Sequence, residues 1–268
     1  MKKPNLLLVT MIFIIGILMI APIYFLVISS FKQPQDVFST SVNLSTLTLD
    51  NFKAVFETNI LHAIWNSFIV STVVTVVALL FHSMSGYALA RLNFPWKKQI
   101  FAWMISTLMI PFTIIMIPLY MVTKTLGMSN SYAGLIIPMI FNAYGIFLFR
   151  QFYREFPKEL EEAAYMEGLS IAGTFFRLVL PLSKSIIVPL TIGFFTFNWN
   201  NYLWPLIITQ DEDLMVVQVA LANIVGGGYE TPWSIVLAAA LLGAIPTFLL
   251  FFFMQKHLVE GIKMTGIK

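Results

Sequence analysis

Residues 58–90 read TNILHAIWNSFIVSTVVTVVALLFHSMSGYALA, and this stretch contains no Asp, Glu, Lys or Arg. An α-helix needs about 20 mostly apolar residues to cross a hydrocarbon core of about 30 Å. The stretch exceeds that length and therefore predicts a membrane-spanning helix. Five more charge-free windows, each also long enough for a span, lie at 4–31, 99–123, 125–149, 185–210 and 231–255.

The six windows predict an all-α integral membrane protein with six transmembrane helices in a single domain, 1–268. The predicted spans are 6–28, 61–90, 99–122, 132–150, 185–208 and 233–255. Hydrophobic residues make up 58% and charged residues 11% of the chain, against about 45–50% and 25% in soluble domains. This composition excludes an ordinary soluble enzyme. The first apolar run, 6–28, is longer than the apolar region of a secretory signal, which has about 7–15 residues, so we expect a retained span.

The 16 Lys and Arg residues predict the orientation in the membrane. If both termini are cytoplasmic, 13 of them fall on cytoplasmic segments, which agrees with the positive-inside rule. The outer loops carry the remaining three, Lys32, Lys53 and Lys124. We expect Arg91, Lys97 and Lys98 to anchor the chain through contact with lipid headgroups; the alternative is a specific contact with another subunit. Because membrane orientation accounts for the basic charge, nucleic acid is not an expected partner.

Two segments depart from a plain apolar helix. The third predicted span contains Pro111 and Pro118, which remove backbone donors. In lipid such breaks persist only where protein, Ser, Thr or water satisfies the freed carbonyls, so this span is predicted to face protein or a pathway. The charge-free segment 214–229 is too short to cross the bilayer comfortably. We predict that it is re-entrant or packed at the surface.

A short helix is predicted within the hydrophilic loop 153–181. Pro157 is suited to a helix start, residues 158–167 are mostly good helix formers, and Gly168 is placed to end the helix in a left-handed cap. Acidic residues at positions 159, 161 and 162 favour the helix N-terminus. The sequence therefore predicts an amphiphilic surface helix about 15 Å long.

The same loop carries a motif: Glu162-Ala163-Ala164, three residues, Gly168, nine residues, then Leu178-Val179-Leu180-Pro181. This pattern resembles the EAA motif of permease subunits of prokaryotic ABC importers. Glu167 stands where Asp is commoner, and Leu169 where Ala is usual. The resemblance implies a type I permease fold whose short loop helix is a coupling helix docked on an ATP-hydrolysing subunit. Its coupling residues are then Glu162, Ala163, Ala164, Gly168, Leu180 and Pro181.

Three further stretches are similar to the carbohydrate-uptake branch of that family, in particular to its shorter six-span, maltose-type subunit. They are Gly86–Pro95 (GYALARLNFP), Trp199–Leu206 (WNNYLWPL) and the tail Gly261–Lys268. The resemblance covers essentially the whole chain and implies a prokaryotic plasma membrane location. It also implies four kinds of partner: a second homologous permease in a heterodimer, two ATP-binding subunits, an extracytoplasmic solute-binding protein and the lipid bilayer.

Polar residues inside spans tend to face a bundle interior or a water-filled path. The candidates to line a sugar path are Asn142, Asn198, Asn200, Asn201 and Tyr202, with His82 as a weaker one. Amides offer donors and acceptors to sugar hydroxyls, and Trp199, Tyr202 and Trp204 could stack on sugar rings. The alternative is that these residues form helix–helix hydrogen bonds and an interfacial aromatic belt.

Enzyme signatures are absent from the sequence. There is no P-loop, because Gly226-Gly227-Gly228 is followed by Tyr-Glu rather than by Lys, and no H-E-x-x-H or G-x-S-x-G. The chain has no cysteine for a thiolate metal site or nucleophile. We expect no catalysis and no cofactor on this chain, with ATP and magnesium held by the partner ATPase subunits. The alternatives are a related permease for an amino acid, peptide or anion, and a membrane enzyme or channel acting alone.

Overall fold

The computed structural model describes residues 6–226 and 231–265, and their side chains as far as residue 256. Within these ranges the chain is helical and has no strand, which confirms the all-α prediction. The helices are α1 (Leu6–Ser30), α2 (Asp50–Phe56), α3 (Ile60–Arg91), α4 (Lys97–Ser106), α5 (Phe112–Thr125), α6 (Tyr132–Ile140), α7 (Ala143–Glu155), α8 (Lys158–Met166), α9 (Ile171–Leu182), α10 (Lys184–Trp199), α11 (Leu203–Ile208), α12 (Val217–Val225) and α13 (Trp233–Thr265). Gly227, Gly228 and the side chains of the tail motif 261–268 lie outside the described residues.

Three helices are each long and apolar enough to cross a membrane without a break: α1, α3 and α13. They contain the predicted spans 6–28, 61–90 and 233–255. α1 is apolar on all sides, and none of its most apolar window is buried by the rest of the chain. A helix without a polar face can lie against lipid or another protein along its whole length.

The other three predicted spans are bent helix pairs. The bend is 105° between α4 and α5, 41° between α6 and α7, and 75° between α9 and α10. With each pair taken as one span, the described residues contain six segments long and apolar enough to cross a membrane. The pair of α9 and α10 begins and ends earlier, at Ile171 and Trp199, than the predicted span 185–208.

The break between α4 and α5 lies at Pro111. Ile110 and Pro111 both adopt extended backbone, with ψ values of 115° and 136°, and for Ile110 the reason is that a residue preceding proline is disfavoured in the helical region. Pro118 behaves differently and is accommodated inside α5 without a break. The sequence indicated a disruption at both prolines, whereas only the first one divides the span.

Two further breaks carry no proline and were not predicted, since spans 132–150 and 185–208 were expected to be continuous. Asn142 is extended between α6 and α7, and its side chain accepts the N–H of Tyr144 at 2.8 Å. This cap satisfies a donor that the interrupted helix would otherwise leave free. The second break, at residues 200–202, separates α10 from α11.

The chain packs as two compact units, and the first comprises residues 1–64 with 217–245. Its buried Asn51 donates to the carbonyls of Ser30 (2.9 Å) and Lys32 (2.8 Å), which fixes the loop after α1. α12 has nine residues, about 13 Å of helix, and is too short to span a bilayer. This length agrees with the expectation for segment 214–229, whose last three residues lie outside the described ones.

The second unit comprises residues 65–216 with 246–268, and its core lies where α3, α7, α9 and α10 meet. The core side chains are Leu79, Tyr87, Phe149, Tyr153, Phe175, Val179 and Leu190. Gly86 allows α3 to approach α7, because a β-carbon there would lie 2.6 Å from Phe149 Cβ and 2.8 Å from the Arg150 nitrogen. The predicted single domain over 1–268 stays a prediction.

Candidate functional site

α8 is the helix predicted within the loop 153–181, and it starts within one residue of the expected position. Pro157 has extended backbone and directly precedes the helix. Glu159 and Glu161 lie in its first turn, where negative charge interacts favourably with the N-terminal end of the helix dipole. The local sequence is therefore sufficient to specify where this helix begins.

α8 is terminated by Gly168 in a left-handed conformation, as predicted. Gly168 has φ +83°, in the left-handed region. Its N–H donates to the carbonyl of Tyr165, and the N–H of Leu169 donates to the carbonyl of Ala164, both at 3.0 Å. This pair of bonds is the Schellman termination, which favours glycine because other residues are strained at positive φ.

The two faces of α8 differ sharply in exposure. Glu161 and Ala164 are buried against the rest of the chain. Glu162, Ala163 and Met166 point away from it, and Met166 is 90% exposed. The Glu-Ala-Ala sequence is therefore divided: its first two residues belong to the open face and Ala164 to the packed one.

The packed face of α8 meets the end of α3 through a group of polar side chains. Arg91 Nε lies 2.8 Å from Glu161 Oε1, and both side chains are less than one tenth exposed. The Tyr87 hydroxyl donates to Glu161 Oε2 at 3.1 Å, so Tyr165, 3.4 Å from Tyr87, donates to that hydroxyl. Arg91 Nη2 also donates to the carbonyl of Phe156. We name Tyr87, Arg91, Glu161 and Tyr165 the Arg91–Glu161 cluster.

The position of Arg91 corrects the expectation that it contacts lipid headgroups. Its guanidinium is buried against the loop, where Nη2 donates to the carbonyl of Phe156 and Nε forms a close ion pair with Glu161 that lacks the alignment of a hydrogen bond. Lys97 likewise turns back, donating to the carbonyl of Leu92 at 2.8 Å. Sequence reasoning missed Tyr87 and Glu161, although Tyr87 and Arg91 share an i, i+4 spacing that places them on one face of α3.

Leu180 and Pro181, the last predicted coupling residues, lie near the end of α9. Leu180 packs against the aromatic core, whereas Pro181 is exposed. Two residues later the Ser183 hydroxyl donates to the carbonyl of Val179 at 2.6 Å. These residues thus lie at the 75° bend that joins the loop to α10.

A cavity of about 710 Å³ opens beside the end of α10. Among the predicted path residues, Asn200, Asn201 and Tyr202 all contribute to its wall, together with Thr196. The other lining residues are apolar or glycine: Phe112, Ile192, Gly193, Phe197 and Leu203. The structure therefore brings these three predicted residues together around one space.

A second cavity of about 480 Å³ is lined by Asn142 and Tyr144 and shares Gly193 and Phe197 with the first. His82 lines neither cavity. It is fully buried, and its Nε2 accepts the N–H of Asn142 at 3.0 Å. His82 therefore supports the break between α6 and α7.

Three other candidates for the sugar path face the protein interior. Asn198 is buried and donates to the carbonyl of Phe194 at 2.8 Å. Trp199 is stacked on Phe195 with ring centroids 5.6 Å apart. Trp204 is fully buried and donates through Nε1 to the carbonyl of Gly134 at 2.9 Å. The packing alternative holds for both tryptophans, and Tyr202 remains the exposed aromatic residue of this group.

The electrostatics of the two cavities are simple. None of the described residues that line either cavity is Asp, Glu, Lys, Arg or His. In the part of the chain with described side chains, no group of three His, Asp or Glu residues is arranged to hold a metal ion. The polar groups that face these spaces are amides and hydroxyls, which exchange hydrogen bonds with neutral solutes.

The chain is similar in sequence to a known protein family. Residues 82–264 match the family described as binding-protein-dependent transport system inner membrane component. The chain is 34% identical to the arabinooligosaccharides transport system permease protein AraQ of Halalkalibacterium halodurans, covering 95% of this chain and 93% of that protein. It is 30% identical to the lactose transport system permease protein LacG of Rhizobium radiobacter, covering 97% and 96%.

A further relative and a solved structure are also similar to the chain. The sn-glycerol-3-phosphate transport system permease protein UgpE of Brucella abortus is 33% identical, with 95% of each chain covered. A chain in the crystal structure of a bacterial ABC transporter involved in the import of the acidic polysaccharide alginate superposes with a TM-score of 0.81 at 20% identity, covering 93% of this chain and 94% of that one. The matched length and identity show that the chain belongs to the family of binding-protein-dependent transport system inner membrane components.

Proposed function

We propose that this chain is a permease subunit of an ATP-driven importer and forms part of the path for a sugar, either an oligosaccharide or a polyol. The observation that carries the proposal is α8, whose open face presents Glu162, Ala163 and Met166 while its other face is fixed to the chain. Such a helix can dock on a second protein and transmit its movement. The names of the AraQ and LacG relatives support the sugar assignment.

The assembly that we infer contains a second, homologous permease, two ATP-binding subunits and an extracytoplasmic solute-binding protein. ATP and magnesium bind to the ATP-binding subunits, and this chain performs no catalysis. Closure of those subunits moves α8, and the paired permeases change between inward-open and outward-open states. This is a two-state element whose populations are set by ATP and by solute. The charge distribution supports a cytoplasmic position for both termini.

The solute we infer is uncharged. The larger cavity presents Thr196, Asn200, Asn201 and Tyr202, and no charged group, to its contents. Amide and hydroxyl groups suit sugar hydroxyls, whereas a phosphate or carboxylate is normally met by Arg or Lys. The name of the UgpE relative keeps a charged solute as the alternative, and the same experiment distinguishes the two.

The test is to purify the chain with its partner permease and ATP-binding subunits and to reconstitute the complex in liposomes. ATP hydrolysis is then measured with the binding protein and a panel of neutral sugars, polyols, amino acids and glycerol 3-phosphate. We expect stimulation by one class of neutral sugar or polyol only. Stimulation by an anion or amino acid alone would reject the sugar assignment. Transport by this chain without the ATP-binding subunits would reject the importer assignment altogether.

A further inference from the structure

The Arg91–Glu161 cluster joins α3 and α8, which are far apart in sequence, and the proposed function requires that movement of α8 reach the membrane-spanning helices. Arg91 is the last residue of α3, and Glu161 lies in the first half of α8. The cluster lies wholly within the second compact unit. It therefore connects the helix that would dock on the ATP-binding subunit to one of the three unbroken candidate spans.

Apolar packing between α8 and α3 is small. The buried residues of α8 are Glu161 and Ala164. The apolar surface that these two side chains bury is chiefly the methyl group of Ala164 and the methylene groups of Glu161. A helix of nine residues is also marginal without tertiary contacts. The charged and hydroxyl groups around Glu161 are therefore the main fixed attachment of α8 to α3.

Both oxygens of the Glu161 carboxylate face α3. Oε1 lies 2.8 Å from Arg91 Nε in an ion pair, and Oε2 accepts the hydrogen bond from the Tyr87 hydroxyl. The Tyr87 ring is held edge-on to Tyr153 at 5.7 Å and against Phe175 at 5.2 Å. Because these rings belong to the core, the hydroxyl of Tyr87 cannot follow α8 independently.

Arg91 also controls how the chain enters α8. Its Nη2 donates to the carbonyl of Phe156, two residues before the first residue of the helix. One guanidinium thus holds both the entry to α8 and its middle, and a planar group with several donors can do this where a lysine cannot.

We propose that Arg91 and Glu161 are positioning residues that make α8 and α3 move as one body, so that a displacement of α8 by the ATP-binding subunits reaches the membrane-spanning helix. This inference rests on the proposed function and adds the residues that transmit it. Neither residue is required to touch the sugar or ATP.

The first test uses Glu161→Gln, which keeps the side-chain shape and an oxygen for Tyr87 but removes the charge, and Tyr87→Phe, which removes one hydroxyl and keeps the ring. In reconstituted complexes we measure sugar transported per ATP hydrolysed. We expect a decrease of about 5- to 10-fold for Glu161→Gln, within the usual range of coupling between sites, and a smaller decrease for Tyr87→Phe. Glu155→Gln is the matched control, since Glu155 is exposed at the end of α7; it should keep the wild-type ratio.

The second test measures movement directly, which a merely stabilising role would not change. The chain has no cysteine, so Lys158→Cys in α8 and Met84→Cys in α3 can carry a pair of spin labels in a cysteine-free complex. We expect the distance between the labels to be the same with and without ATP. In the Glu161→Gln background, we expect that distance to change when ATP binds.

The outcomes separate this inference from the proposed function. If Glu161→Gln and Tyr87→Phe keep both the wild-type ratio and the constant distance while Glu162→Lys reduces coupling, the positioning role is rejected and docking through α8 stands. If Glu162→Lys also has no effect, docking of α8 itself is rejected. If Glu161→Gln prevents assembly of the complex, Tyr87→Phe decides the question by the same two measurements.

Discussion

Gly145 in α7 faces the imidazole ring of His82 in α3 so closely that a β-carbon at position 145 would overlap Nδ1. The contact lies three residues after the break at Asn142, whose N–H the same ring accepts. The close approach of α7 therefore depends on a glycine and on a buried histidine together.

We expect Gly145→Ala to lower the stability of the purified complex by about 1–3 kcal/mol, the usual cost of overpacking a filled site. The measurement is the melting temperature in detergent. Gly16→Ala is the control, because the β-carbon it would add meets nothing within 4 Å apart from its own helix backbone, and it should not lower that temperature. An unchanged melting temperature for Gly145→Ala would show that α7 can move away from His82 at little cost.

Gly168→Ala should disturb the end of α8. The space around Gly168 is open, so the cost comes from its positive φ alone, about 1–2 kcal/mol for an L-residue. We expect sugar-stimulated ATP hydrolysis to fall while the complex still assembles. Gly168→Asn should be milder because asparagine tolerates this conformation better. Equal activity of all three proteins would mean that the left-handed termination is not needed for coupling.

Asn201→Leu tests the wall of the larger cavity. It keeps a similar volume but removes the amide, and a hydrogen bond to a sugar hydroxyl is worth about 0.5–1.5 kcal/mol. We therefore expect the concentration for half-maximal transport to rise about 2- to 10-fold. The control is Asn93→Leu, at an exposed position between α3 and α4. If the two variants transport the sugar identically, Asn201 does not contribute to the sugar path.

Trp204→Phe should lower the stability of the protein, and we expect no direct effect on transport. It leaves the buried carbonyl of Gly134 without its donor, at a cost of about 1–3 kcal/mol. The melting temperature of the complex reports the loss. Trp103→Phe is the matched control, since Trp103 is 79% exposed. If the two variants have the same melting temperature, the hydrogen bond from the Trp204 indole to the Gly134 carbonyl contributes nothing to stability.

The number of spans could be predicted from the sequence because a charge-free window longer than the bilayer requires is rare outside membrane-spanning segments. The break at Pro111 and the left-handed end at Gly168 were also local properties. The breaks at Asn142 and at residues 200–202 were not predictable in this way. At Asn142 the break is stabilised by the distant His82, which no window of sequence reveals.

The role of the candidate residues in a sugar path stays a prediction. Asn200, Asn201 and Tyr202 line one cavity, whereas Trp199 and Trp204 have the same residue types as a sugar platform and are buried. The predicted role of Arg91, a contact with lipid headgroups, was wrong for a related reason. A basic residue at the end of a span is typical of a headgroup contact, and only the fold brings Glu161 to it.

Each of the three breaks that interrupt predicted spans borders a cavity: Phe112 follows the first, Asn142 lies in the second, and Asn200 to Tyr202 form the third. The main-chain N–H groups at the second and third breaks are already bonded within the chain: Asn142 donates to His82, Tyr144 to the side chain of Asn142, and Asn200 to the carbonyl of Thr196. A change of solute preference therefore depends on side chains at the breaks, such as those of Asn201 and Tyr202, and not on the backbone.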